Sequence, residues 1–155
     1  MLKKKLREKH IGENKLENFT LIPNKSLGVF ILRDDIENYL YIEHIKEHIK
    51  ERTFSYDSYD FYDRKVTVWP TEGKIETIRC NSMCYLNGEN LIGMSYERFL
   101  ILVNQFPDTE SEEYVLINSN RGQNQKVYDF DELGLQIWVW RNKIRTVLIS
   151  SYEGL

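Results

Sequence analysis

Strict alternation of apolar and polar side chains marks the C-terminal third of the chain: Leu135, Ile137 and Val139 are interleaved with Gln136, Trp138 and Trp140. A period of two places each set on one side of a pleated strand. After the Arg141-Asn142 turn come Ile144, Thr146 and Leu148, which together predict a hairpin. Val66 and Val68, the turn Pro70-Thr71-Glu72-Gly73, and Ile75, Thr77 and Arg79 read the same way. Met83 and Tyr85 predict a further strand before the Asn87-Gly88 turn, and Tyr114 to Ile117 another.

Helical spacing occurs twice. Ser95 caps a segment in which Tyr96, Phe99, Leu100, Val103 and Phe106 keep one face at i, i+3, i+4 and i+7, with Pro107 at its end. Asp34 and Glu37 form a capping box for the other, where Ile36, Tyr39 and Leu40 keep a matching face. Ile42, Ile45 and Ile49 fall on a different face, so the second half of this helix must bend or find another partner.

These segments are copies of one pattern. Tyr59-Asp60-Phe61 recurs as Tyr128-Asp129-Phe130 at a displacement of 69, which also takes Val66 to Leu135, Val68 to Ile137, Trp69 to Trp138, Ile75 to Ile144 and Thr77 to Thr146. Upstream the displacement is 60, taking Asp35 to Ser95, Glu37 to Glu97 and Leu40 to Leu100, so nine extra residues are expected between about 107 and 124. The predicted fold is α+β: two tandem α-β-β-β repeats with an antiparallel sheet and helices packed on one face. Residues 1–26 form a polar N-terminal arm, 27–86 the first repeat and 87–155 the second, in one compact unit.

Carried by Ile92-Gly93-Met94-Ser95, Phe99, the run Leu135 to Trp140 and Lys143-Ile144, the pattern resembles the repeat of the β-lactamase inhibitor protein and of small outer-membrane lipoproteins of the SmpA/OmlA type. That resemblance implies a catalytically inert binding surface. In general character the chain also resembles immunity proteins of bacterial polymorphic-toxin and contact-dependent inhibition systems.

Composition narrows the picture. A length of 155 residues suits one domain, the absence of alanine tilts it toward sheet, and a net charge of -3 argues against a strongly basic nucleic-acid footprint. Cys80 and Cys84 give no disulfide framework, which fits a reducing compartment. The basic run Lys3, Lys4, Lys5, Arg7 and Lys9 leads into no apolar signal segment, and Phe99 to Val103 is far short of the roughly 20 residues a span needs. The expectation is a soluble cytoplasmic protein that binds neither membrane nor nucleic acid directly.

Candidate chemistry is sparse. His44-Ile45-Lys46-Glu47-His48 matches the H-x-x-E-H pattern of inverted zinc peptidases, giving a metal-dependent hydrolase built on His44, Glu47 and His48 as the alternative function. Against it, a catalytic site needs a third protein ligand, and none is evident. Cys80 and Cys84, four apart on one strand face, would join the histidines only in an unusual zinc site, and small buried apolar roles suit them better. There is no Gly-rich phosphate loop and no G-x-S-x-G elbow. No catalytic residue, metal or cofactor is therefore expected, and the protein reads as a non-enzyme.

Phe54 to Asp63 is the most informative stretch, with five aromatics and three carboxylates in ten residues. Tyr56, Asp57, Tyr59, Asp60, Tyr62 and Asp63 are taken as a recognition surface, because rigid aromatics dominate interface hot spots. Asp129, Asp131 and Glu132 with Trp140 repeat the theme, and Glu110, Glu112 and Glu113 extend it. An acidic, aromatic-rich surface steers a basic partner. The function expected is that of an immunity protein that blocks a cognate, basic nuclease-type toxin; a generic protein-binding scaffold is the blander reading.

Overall fold

The computed structural model describes residues 15–151; the basic run and His10 lie outside the described residues. In chain order the elements are α1 (Lys15–Asn18), β1 (Leu21–Ile22), β2 (Ser26–Leu27), β3 (Phe30–Ile31), a 3-10 turn (Ile36–Tyr39), β4 (His44–Lys50), β5 (Ser55–Phe61), β6 (Val66–Thr71) and β7 (Lys74–Cys80). There follow β8 (Tyr85–Leu86), β9 (Glu89–Asn90), α2 (Tyr96–Val103), β10 (Thr109–Asn118), β11 (Arg121–Phe130), a 3-10 turn (Asp131–Leu133), β12 (Leu135–Trp140) and β13 (Lys143–Ser150).

Eight strands make one antiparallel sheet in the order β10-β11-β12-β13-β7-β6-β5-β4, with the two C-terminal strands of the meanders meeting at its centre. Both predicted hairpins form. Val66 faces Cys80 and Val68 faces Ile78, as Leu135 faces Ile149 and Ile137 faces Val147. Each register slips by one residue just after a tryptophan, Trp69 in one hairpin and Trp138 in the other, which puts a bulge at the same place in both.

One side of the sheet carries the core. Phe61, Val66, Val68, Ile78, Cys80, Phe130, Leu135, Ile137, Val147 and Ile149 are buried there. α2 covers one end, with Phe99 edge-on to Phe130 at 5.1 Å and Tyr96 stacked on Tyr128 at 4.0 Å. The small hairpin β2-β3 and the first 3-10 turn cover the other, through Phe30 against Phe61 at 4.6 Å and against Tyr39 at 5.4 Å.

The two ends are tied to the sheet by matching backbone bonds: Ile75 N–H donates to Asp34 and Arg33 N–H to Ile75, as Ile144 N–H donates to Met94 and Gly93 N–H to Ile144. The second small hairpin, β8-β9, turns at Asn87-Gly88, both at positive φ, as a two-residue hairpin requires. It answers to β2-β3 in shape and sits with the residues that follow it.

Four expectations are corrected. The first predicted helix is only a 3-10 turn, and its second half is strand β4, paired with β5 from His44↔Phe61 to Lys50↔Ser55. The apolar residues of this segment, Ile42, Ile45 and Ile49, lie off the face of Ile36, Tyr39 and Leu40, so one straight helix could not bury both sets, whereas a strand gains seven cross-strand partners along β5. Each sheet half therefore has four strands, not three.

Asp34 does not cap through the N–H of a helix; its carboxylate accepts from Asp35 N–H at 2.9 Å and from the Tyr39 hydroxyl at 2.7 Å, closing the short turn on itself. α2 ends at Val103 with Asn104 in the left-handed conformation, so Phe106 leaves the apolar face and is 85% exposed. Phe19 and Leu21 are buried in the core, so the polar arm ends before residue 26.

The extra length is divided. Ile45 pairs with Asp60 and Thr109 with Asp129, so the displacement between those strands is 64. Relative to 60 and 69, four of the nine residues precede β10, where α2 gains a full turn over the 3-10 turn, and five lengthen the β10-β11 hairpin.

Candidate functional site

Opposite the core lies the sheet's second face, against which no element packs among the described residues. Its centre is one lateral row that crosses all eight strands in register: Thr109, Asp129, Gln136, Leu148, Arg79, Thr67, Asp60 and Ile45. Neighbours in the row have side chains on the same face because directly opposed residues in antiparallel strands share a side.

The polar members bind one another. Asp129 accepts from Thr109 at 2.5 Å and from Gln136 at 2.8 Å; Gln136 in turn accepts from the Trp138 indole N–H at 2.8 Å. In the other half Asp60 accepts from Thr67 at 2.5 Å, and Thr67 accepts from an Arg79 guanidinium nitrogen at 2.9 Å. Two carboxylates are thus held in the row by hydroxyl and amide donors. Arg79 also lies over the Trp69 ring at 5.5 Å, and its Nε is buried with no hydrogen-bond partner among the described residues.

Tryptophans flank the row on opposite sides. Trp69 stands opposite Thr77, and Trp138 opposite Thr146 with Val127 on its other side. Trp140 lies two residues beyond Trp138 with Arg141 at 4.3 Å and Arg145 at 5.1 Å over its ring. All three rings are half-buried. A hollow of about 350 Å³ opens near Leu148, lined by Thr77, Asp129, Gln136 and Ser150.

The sequence-predicted surface is only partly gathered here. Asp60 and Asp129 belong to the row, and Tyr56, Glu113 and Trp140 share its face by strand parity. Asp57 on β5 and Glu110 and Glu112 on edge strand β10 point to the core side, and the Asp57 carboxylate accepts from His48 Nδ1 at 2.7 Å. That bond holds the Asp57 carboxyl below its ordinary range.

Tyr59 is buried, and Tyr62 packs against Phe19 at 5.5 Å, with burial pushing its phenol up to about 12. Asp63, Asp131 and Glu132 are exposed at the turns after β5 and β11. Thr67, Trp69, Arg79 and Gln136 are not among the sequence-predicted site residues. The repeated Trp69 and Trp138 were visible, but register across the sheet is needed to see what they flank.

Metal chemistry meets a geometric obstacle. On strand β4 the two histidines of the H-x-x-E-H pattern are four residues apart, roughly 13 Å at about 3.3 Å per residue. No single ion spans that. His44 Nδ1 is bonded to the Ile42 carbonyl at 2.7 Å, and Glu47 points to the opposite face. No group of three or more His, Cys, Asp or Glu residues fit to hold a metal occurs among the described residues. Cys80 and Cys84 are both fully buried, and burial raises the Cys80 thiol well above its ordinary value.

No helix among the described residues is long and apolar enough to cross a membrane. Comparison with protein-family models, with curated proteins and with solved structures gave no match.

Proposed function

We propose that this chain is a non-enzymatic binding protein, built from two tandem copies of one α+β unit, that docks a protein partner on the open face of its sheet. The observation that carries the reading is the lateral row from Thr109 to Ile45 with three half-buried tryptophans beside it, on a face that no described element covers. A merely solvated sheet face has no need of large aromatic side chains, whereas hot spots are rich in Trp and Arg. The hairpin registers and bulges repeated at a displacement of 69, and the matching tying bonds, support the tandem origin.

The partner class favoured is a basic, nuclease-type toxin, with this chain as its cytoplasmic immunity protein. Asp60 and Asp129 are already oriented by donors and lose little freedom on meeting a cationic surface. Exposed Glu47, Glu113, Asp63, Asp131 and Glu132 add a negative rim that speeds encounter.

Co-expression with the toxin domain encoded by the adjacent reading frame tests the reading. Wild type protects the cell and forms an isolable complex, and the combined Trp69→Ala and Trp138→Ala variant, if it melts near wild type, no longer does. Full protection by that folded variant would move the site elsewhere; absence of any complex with wild type would overturn the function.

A further inference from the structure

We propose that the two edges of the sheet are complementary to each other and pair copies of this chain head to tail, β4 of one against β10 of the next. Both edge strands have one strand neighbour only among the described residues, so each presents a row of outward backbone donors and acceptors. The inference is independent of the open-face reading, because edge pairing leaves that face uncovered.

The side chains of the two edges are opposite in charge where it matters. On its core side β4 carries His44, Lys46, His48 and Lys50, an uninterrupted cationic and titratable stripe. β10 carries Glu110 and Glu112 on the same side, followed by the exposed Tyr114 and Leu116. An antiparallel register that sets Lys46 against Glu112 and His48 against Glu110 brings Lys50 to Asp108. On the other side it sets Glu47 against Ser111, Ile49 against Thr109 and Ile45 against Glu113. The opposed charges attract, whereas a slip of two residues toward the β10-β11 turn would oppose Glu47 to Glu113.

Strand direction agrees. The eight strands alternate strictly, and eight is even, so a second copy placed beside the first in the same orientation continues the alternation from β4 to β10. Core sides then align with core sides. Of the two-fold alternatives, β4 against β4 opposes Lys46 and its neighbours to themselves, and β10 against β10 centred on its acidic half, Glu110 to Glu113, opposes glutamates. A contact between different surfaces does not close on itself as a dimer and builds rings or open chains instead.

The test is sedimentation velocity on the full chain over a range of concentrations at low and high salt. The expected result is an average size that grows with concentration at low salt and returns to monomer at high salt. Lys46→Glu with Lys50→Glu leaves a monomer, as does Glu110→Lys with Glu112→Lys. Mixed in equal amounts, the two variants associate again, because each now offers the edge the other lacks. That rescue separates lost complementarity from lost folding. A wild type that stays monomeric at every concentration and salt overturns the proposal, and so does a glutamate-to-lysine variant that still associates by itself.

Discussion

Arg79 and Leu148 face each other across the seam where β7 pairs with β13, and the aliphatic Leu148 interrupts there the side-chain hydrogen bonds that run from Arg79 to Asp60 on one flank and from Gln136 to Thr109 on the other. They also occupy matching places, since the displacement of 69 takes 79 to 148. One half therefore solves this position with an aliphatic residue and the other with a guanidinium whose Nε has no hydrogen-bond partner among the described residues.

Arg79→Leu is accordingly expected to leave folding stability within about 1 kcal/mol of wild type, because removing a poorly satisfied buried polar group offsets the lost bond to Thr67. Urea unfolding measures this. If the open face is the docking surface, the same variant binds its partner less tightly, so stability and binding part company.

Tyr59→Ala and Trp140→Ala are expected to behave oppositely. Tyr59 is buried beneath Lys46 and His44, and truncation there costs about 3 to 5 kcal/mol. Trp140 loses its two arginine contacts, worth about 1 kcal/mol. Thermal melts rank the two, and equal losses would place Trp140 in the core.

Charge and aromatic variants of the open face are expected to separate in kinetics. If the open face docks a basic protein partner, Asp60→Asn with Asp129→Asn slows association with that partner and flattens its salt dependence, while Trp138→Ala chiefly speeds dissociation. Surface plasmon resonance at several salt concentrations reads both rates.

Alkaline pH is expected to unfold the protein through its phenols. Tyr39 and Tyr62 have values raised from 10.0 to about 12, both mainly by burial, so the folded state favours their neutral forms. That stabilisation is fully present below the unfolded value of 10.0 and is lost as the pH rises to about 12. Tyr62→Phe removes one such group and is expected to flatten the fall in the urea midpoint over that window.

Much of the fold was legible where one face of a strand is buried. The alternation at residues 66–69 and 135–140 fixed both hairpins and the matching tryptophans, because burial on one side imposes a period of two. β4 was not legible for the converse reason. Its side chains are mostly exposed, so nothing forces alternation, and the run of Lys, Glu and His reads equally as a solvated helix; only β5 holds it in place.

The site shows the same division. Asp60, Asp129 and Trp140 stand out as acids and aromatics within local repeats, but Thr67, Arg79 and Gln136 acquire their roles from partners in other strands. Tyr59 and Tyr62 were drawn into the predicted surface by the density of aromatics, although strand alternation turns Tyr59 inward and the turn after β5, where Tyr62 has positive φ, lays Tyr62 on Phe19.

The seam between β7 and β13 also sets the order of assembly on the ribosome. Each meander closes among near neighbours in sequence, but residues 77–80 wait for residues 147–150, some seventy positions later in synthesis. Until those emerge, the nascent chain carries β7 as a temporary open border next to the apolar residues Ile78 and Cys80, the stage at which a chaperone or a mispaired strand competes for it. Completing β13 therefore both joins the two halves of the sheet and closes that border.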